Sequence, residues 1–265
     1  MIVIGEKINA SRKSIAEAIA KRDSEAICTV AVRQAQAGAD FIDVNAGLQA
    51  GPKEAEDMAW LSGVVRGAVD VGLCIDSADP AAMKVGMNAA GGKSVLNSIS
   101  LESSRLEGML PLAASGECMV IALLVSDDGV PETVDQRLDR AEKLIGILTD
   151  AGKPIDDIIV DPCFLPLSVD STSAIPVLKS IAEIRRRWPG VHISGGVTNA
   201  SYGLPKRKYL NMALIVQAVG AGMDCGIIDP CVEGTMGLIH AAEVVVGKDE
   251  MCMGYISAAK QGRLT

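Results

Sequence analysis

At 265 residues, with a formal net charge of −8 and a pI of about 4.9, the chain has room for one large domain, and no basic stripe runs along it to meet nucleic acid. It is 49% hydrophobic but only 3% aromatic, so Ala, Val, Ile, Leu and Met must build the core, a palette suited to parallel strands buried on both faces. No apolar stretch reaches membrane-spanning length, and "MIVIGEKINA" lacks a basic region ahead of a long apolar segment, so export is not indicated and a cytoplasmic location is expected.

In chain order, a unit of short apolar strand, polar tip and helix recurs. The first strand is "IVIG" (2–5), with Glu6 and Asn9 just after it. "FIDVN" (41–45) carries Asp43 and Asn45, and "LCIDS" (73–77) carries Asp76. "SADPAAMKVGM" then opens a helix, with Asp79 as N-cap and Pro80 at the first helical position. "SVLNS" (94–98) holds Asn97, and "MVIALLV" (119–125) is the fifth strand. Between 131 and 152, Val134, Leu138, Ala141, Ile145 and Leu148 step by three or four, laying one apolar stripe on a helix that Gly152 closes. "IIVDP" (158–162) ends near Asp161, and "HISGG" (192–196) leads into "SGGVTNASYG", where Asn199 sits among small residues. "PKRKYL" (205–210) puts Lys206, Arg207 and Lys208 in the first turn of the next helix, where the macrodipole disfavours cations. The last strand, "CGIID" (225–229), ends in Asp229. Eight strands alternating with helices predict an α/β fold, a single-domain (β/α)8 TIM barrel over residues 1–265. An open doubly wound sheet is the alternative, but its glycine-rich dinucleotide fingerprint is missing after the first strand.

In such a barrel the C-terminal strand ends form the face that holds active sites. Asp, Asn and Gly also make turns on any protein, yet here a short polar residue closes nearly every strand. The ring offers carboxylates and amides, with no histidine and no lysine inside it. An ionised Asp accepts two parallel N–H bonds, and Asn donates and accepts at once, a set that suits a flat heterocycle such as a pterin. Seven cysteines without a C-x-x-C pair argue against a disulfide framework or zinc ribbon. The only histidines are His192 and His240, so no bound metal is expected.

In this order, "GEKIN", "DVNAG", "CIDS", "LNSIS", "IVDPC" and "SGGVTNAS" resemble the pterin-binding methyltransferases. More narrowly they are similar to the methyltetrahydrofolate–corrinoid protein methyltransferases and the folate module of cobalamin-dependent methionine synthase. The resemblance implies a TIM barrel, usually a homodimer, acting in one-carbon metabolism on tetrahydrofolate or 5-methyltetrahydrofolate. It implies that Asp76, Asn97 and Asp161 anchor the pterin edge, and that Asn199 lies beside the methyl-bearing N5, with Ser194 or Thr198 assisting. The glycines of the loop are then expected to let backbone approach the ring. At Tyr202, acetogen-type relatives carry glutamine and methionine synthase an aromatic. Arg207, a fork-shaped donor, is a candidate for the folate glutamate tail, a solvated charge cluster being the alternative.

The reaction so implied moves a methyl group between cobalt and N5. Cobalamin-carrying modules show D-x-H-x-x-G, which neither histidine here supports, so the corrinoid (cobalamin) is expected on a separate, transient partner protein. "SGGVTNASYGLPKRKYLN" points to members that methylate tetrahydrofolate from a methylcorrinoid protein during anaerobic demethylation. Two rivals stand beside this reading. A dihydropteroate synthase-like enzyme would share the pterin edge, but its N-x-T-P-D-S-F and late R-x-H are absent. A non-catalytic folate-binding or corrinoid-docking protein would explain the anchors but not Asn199. Zinc-dependent thiol methyltransferases are disfavoured by the lack of clustered Cys and His.

Overall fold

The alternation holds in the computed structural model, which describes residues 1–47 and 51–264. Eight strands run parallel: β1 (Ile2–Asn9), β2 (Phe41–Asn45), β3 (Gly72–Asp76), β4 (Ser94–Leu101), β5 (Met119–Ser126), β6 (Ile158–Asp161), β7 (His192–Ile193) and β8 (Cys225–Ile228). β1 to β7 pair in sequence order and β8 pairs with β1, which leaves β7 and β8 facing each other. The remaining gap is bridged by Asp224 N–H to Ile193 O (3.2 Å) and Ile227 N–H to Gly195 O (3.2 Å), giving a nearly closed TIM barrel.

Helices fill the outer layer: α1 (Lys13–Lys21), α2 (Ser24–Gln36), α3 (Pro52–Ala68), α4 (Pro80–Ala90) and α5 (Ser103–Ser115) cover the first half. The second half has α6 (Val134–Asp150), α7 (Ala174–Arg187), α8 (Arg207–Ala221), α9 (Thr235–Val245) and α10 (Met253–Lys260). Asp79 caps α4, its carboxylate accepting from Ala81 and Ala82 N–H at 2.7 and 3.1 Å, with Pro80 at N1. The α6 stripe buries Leu138, Ala141, Ile145 and Leu148, and Gly152 follows the C-cap at φ 89°.

Three strands, β1, β4 and β7, differ from their expected lengths by three residues or more, β4 running on to Leu101. β1 continues to Asn9 because one extra residue enters its register against β2 between Gly5 and Ile8, a bulge that keeps pairing alive past the polar Glu6 and Lys7. β7 stops at Ile193 rather than Gly196, since two glycines in succession weaken a strand. The β4–β5 register also shifts after Asn97, where the Asn97–Ser98 peptide is cis.

Inside the barrel, Ile4, Phe41, Cys74, Val95, Ile121, Ile159 and Cys225 form one buried layer, a side chain from every strand but β7. All seven cysteines of the chain are free thiols, and burial pushes Cys225 up to about 12. Packing in this layer leaves Gly72 no room for a side chain: a Cβ there would sit 2.4 Å from the Phe41 ring. Gly72→Ala is expected to destabilise the protein by about 1–3 kcal/mol through overpacking, read as a lower urea midpoint at unchanged slope.

Candidate active site

Above the apolar layer, the C-terminal strand ends surround a cavity of about 810 Å³. Its floor is made of paired carboxylates and amides. Asn97 Nδ2 on β4 donates to Asp43 Oδ1 on β2 at 3.2 Å, and Asn45 Nδ2 on β2 donates to Asp76 Oδ2 on β3 at 2.8 Å. Alternation turns these side chains to the inside of the barrel, so the pairs stitch three neighbouring strands. Burial first, and then the charge of Asp76, holds the Asp43 carboxyl well above the ordinary range. Asp76 is raised by burial too, against its Asn45 hydrogen bond and the charge of Arg105. Two carboxyls this close resist ionising together.

Asp161, at the end of β6, is buried and accepts from the backbone N–H of Cys163 at 2.8 Å and from that of Gly196. Desolvation outweighs both bonds and raises its carboxyl to about 6. The bond to Gly196 ties β6 to the next loop, where Val197–Ser201 form a 3-10 turn. Asn199 projects from this turn into the cavity, exposed, with no hydrogen bond on its amide among the described residues. Its φ is not positive, so the turn does not need asparagine for a left-handed conformation.

The loop glycines also make room within the protein, and Gly196 lines the cavity. A Cβ on Gly195 would meet the Phe164 ring at 2.6 Å, and one on Gly196 would meet Asn199 Nδ2 at 2.8 Å. One glycine seats an aromatic and the other makes space for the amide.

Glu6 and Arg207 hold the turn from two sides. Thr198 Oγ1 donates to Glu6 Oε2 at 2.8 Å. Arg207 donates from Nε to Ser201 Oγ at 2.9 Å and from Nη2 to Thr198 O at 2.6 Å, so two of its donors are engaged within the protein. Its guanidinium stands 6.0 Å from the Tyr202 ring. Helix α8 starts at Arg207, leaving Lys206 as its N-cap at φ 52°, so only two of the three cations fall inside the helix.

Glu6, Asn9, Asp43, Asp76, Asn97 and Asp161 all line the cavity, as do Thr198, Asn199, Tyr202, Arg207 and Asp229. Two expected residues do not. Asn45 stands behind Asp76 and donates to it. Ser194 is fully buried beside the Cys225 thiol in the barrel interior. The ring is also less anionic than its strand ends suggest. Lys208 lines it, and Lys7 pairs with Asp229 at 2.8 Å, which corrects the expectation of a site without lysine. Arg12 and Arg105 were missed as well. Arg105 lies in the first turn of α5 and donates to the Ser98 and Ser77 carbonyls at 3.2 and 3.3 Å. A cation in a helix's first turn is the mark that singled out Arg207, and it would have found Arg105. Among the described residues, no group of three or more His, Cys, Asp or Glu is arranged to hold a metal ion.

Comparison with known proteins gives this arrangement a family. Residues 5–229 match the family model described as pterin binding enzyme. A methylcorrinoid:tetrahydrofolate methyltransferase from Eubacterium limosum is 33% identical over 100% of this chain and 98% of its own length. A methionine synthase from Mycobacterium tuberculosis is 26% identical over 86% of this chain, a match covering 20% of that protein. Solved dihydropteroate synthases of Coxiella burnetii, in complex with pteroic acid, and of Vibrio fischeri superpose with TM-scores of 0.70 and 0.72, over 93% of both chains at 15% identity, a likeness of fold alone. With one family model running from β1 to the end of β8 and a relative aligned end to end, the chain belongs to the pterin-binding enzyme family.

Proposed function

We propose that the protein is a methyltransferase that moves a methyl group between the cobalt of a corrinoid protein and N5 of tetrahydrofolate, in the direction that yields 5-methyltetrahydrofolate. The observation that carries this reading is the Asn199 amide, free of any hydrogen bond among the described residues, on the wall of a cavity floored by carboxylate–amide pairs. The floor offers acceptors and donors to a pterin edge through Asp76, Asn97 and Asp161. The amide then faces the ring nitrogen whose charge changes during transfer. An interaction that strengthens only as charge develops lowers the barrier in either direction, and one such donor contributes on the order of 2–4 kcal/mol. Positioning of the two substrates supplies much of the remainder.

The full-length match to a methylcorrinoid:tetrahydrofolate methyltransferase favours this reaction over dihydropteroate synthesis, for which the likeness is at 15% identity. On this reading the corrinoid arrives on a transient protein partner and the enzyme works as a cytoplasmic homodimer. Among the described residues no helix is long and apolar enough to cross a membrane. The deciding experiment is a colorimetric transfer assay with free methylcobalamin and tetrahydrofolate. Cobalamin demethylation dependent on both protein and folate supports the enzyme, whereas folate binding without transfer leaves a docking protein.

The Asp161 carboxyl gives the binding step a pH signature. Its ionised form is the one that accepts from a pterin N–H pair, and it titrates at about 6 in the folded protein. Folate affinity is therefore expected to be full above that pH and to fall about tenfold per pH unit below it. Calorimetric titrations between pH 5 and 8 check this, with Asp161→Asn expected to be weak and flat throughout.

A further inference from the structure

The methyl transfer proposed above requires a proton to be moved. When the N5 lone pair attacks the methyl carbon, an N5–C bond forms and the C–Co bond breaks. The electron pair of that bond stays on cobalt, which passes from Co(III) to Co(I). N5, a secondary amine before the attack, becomes a tertiary ammonium and must lose its hydrogen as a proton. Asn199 cannot receive it, because a neutral amide does not titrate. An ionisable group in contact with the Asn199 turn is placed to receive it.

Five carboxyls line the cavity: Glu6, Asp43, Asp76, Asp161 and Asp229. Asp43 and Asp76 are engaged by amides on the floor, Asp161 by backbone N–H groups, and Asp229 by Lys7. Among the described residues only Glu6 bonds to a side chain of the turn, through the Thr198 hydroxyl one residue before Asn199. Its second oxygen meets Arg12 at 3.1 Å, and its side chain is 14% exposed where that of Arg12 is 43% exposed, so Glu6 reaches from the wall toward the rim.

We infer that Glu6 receives the N5 proton, with the Thr198 hydroxyl as relay. N5 gives its proton to Thr198 Oγ1 while the hydroxyl proton moves to Glu6 Oε2. Thr198 ends neutral and Glu6 ends as a carboxylic acid, which discharges to water at the Arg12 side. The reverse reaction runs the same steps backwards, with Glu6 supplying the proton that makes N5 a leaving group for Co(I). This assignment rests on the methyltransferase reading and adds to it the group that balances the proton. The surroundings suit a group that works in both directions. Burial pushes the Glu6 carboxyl above its ordinary range and the Asp229 charge adds to the rise, while Thr198 from the turn, Arg12 ahead of α1 and Arg207 from α8 oppose it. Asp43 on β2 is the remaining charged neighbour.

The test uses the whole protein with free cobalamins at saturating folate, so that titration of Asp161 does not enter the rates. Forward transfer runs from methylcobalamin to tetrahydrofolate, and reverse transfer from 5-methyltetrahydrofolate to cob(I)alamin, both followed by absorbance. The forward rate should fall as pH drops through the Glu6 titration, and the reverse rate should fall as pH rises through it. Glu6→Gln keeps an acceptor for Thr198 but cannot titrate. It should lose about 10²-fold or more in both directions, together with both pH limbs, while the folate Kd from calorimetry stays near that of the parent. Thr198→Val should reproduce the loss and Thr198→Ser should restore the rate. Parent-like rates and limbs in Glu6→Gln, or a defect confined to folate Kd, would overturn the assignment. A parent protein that binds folate yet transfers no methyl group in either direction would instead remove the methyltransferase reading itself, before any variant is made.

Discussion

Replacing Asn199 by alanine is expected to slow methyl transfer by about 10²-fold or more, with the folate dissociation constant moving far less. On the proposed reading the amide, which lines the cavity, bonds N5 most strongly when that nitrogen is charged. Removing an interaction made mainly in the transition state lowers kcat and kcat/KM together, whereas loss of uniform binding appears in KM. The structure makes alanine a clean probe. Asn199 has no positive φ, its amide bonds to no other group among the described residues, and the turn is fixed from outside by Glu6 and Arg207. Asn199→Gly is expected to behave in the same way. If either variant transfers methyl groups at the parent rate, the amide is not part of the chemistry.

Loss of the Asp161 carboxylate is expected to weaken tetrahydrofolate binding by about 2–3 kcal/mol, since a charge-assisted pair disappears and its pterin donors lose their acceptor. Asp161→Asn is the better variant than Asp161→Ala, because an amide oxygen can still accept from the Cys163 or Gly196 N–H. Stability should move the other way. Burial raises this carboxyl to about 6, so its contribution to folding is full below the ordinary carboxylate range and is lost as pH rises through about 6. At neutral pH, Asp161→Asn is therefore expected to be at least as stable as the parent while binding folate worse, the pattern of a site that gives up stability for function. Calorimetry and thermal unfolding of the same preparation test both halves, and unchanged folate affinity would remove Asp161 from the site.

How much of this was legible in the sequence follows from which forces act locally. Strands buried on both faces are nearly continuous apolar runs, so "FIDVN", "LCIDS" and "IIVDP" marked β2, β3 and β6 to within a residue or two. The polar residues closing those runs marked the cavity, because alternation and burial decide where they point. β1 was cut short because its bulge carries Glu6 and Lys7, and a bulge is a register effect between two strands that neither strand displays alone. Ser194 is buried beside Cys225 rather than on the cavity wall, a matter of depth in the barrel that the sequence pattern does not carry. Arg12 lies on the connection ahead of α1, where composition does not tell a cavity wall from solvent, whereas Arg105 and Lys208 stand in first helical turns, where a cation is a visible mark. Which amide serves which carboxylate depends on strand neighbours and shear, so neither the Asn97–Asp43 nor the Asn45–Asp76 pair could be read in advance.

Those two pairs have a consequence for discrimination. Before substrate arrives, Asp43 and Asp76 each already accept from an amide, so a ligand that takes either amide's place must trade for a bond that exists. The net gain per exchanged bond is small. The loss is not small when an intruding ring displaces an amide but lacks the matching donor, since a buried carboxylate is then stripped of one partner and given none. A floor built this way accepts its proper guest gently and turns away near-copies steeply.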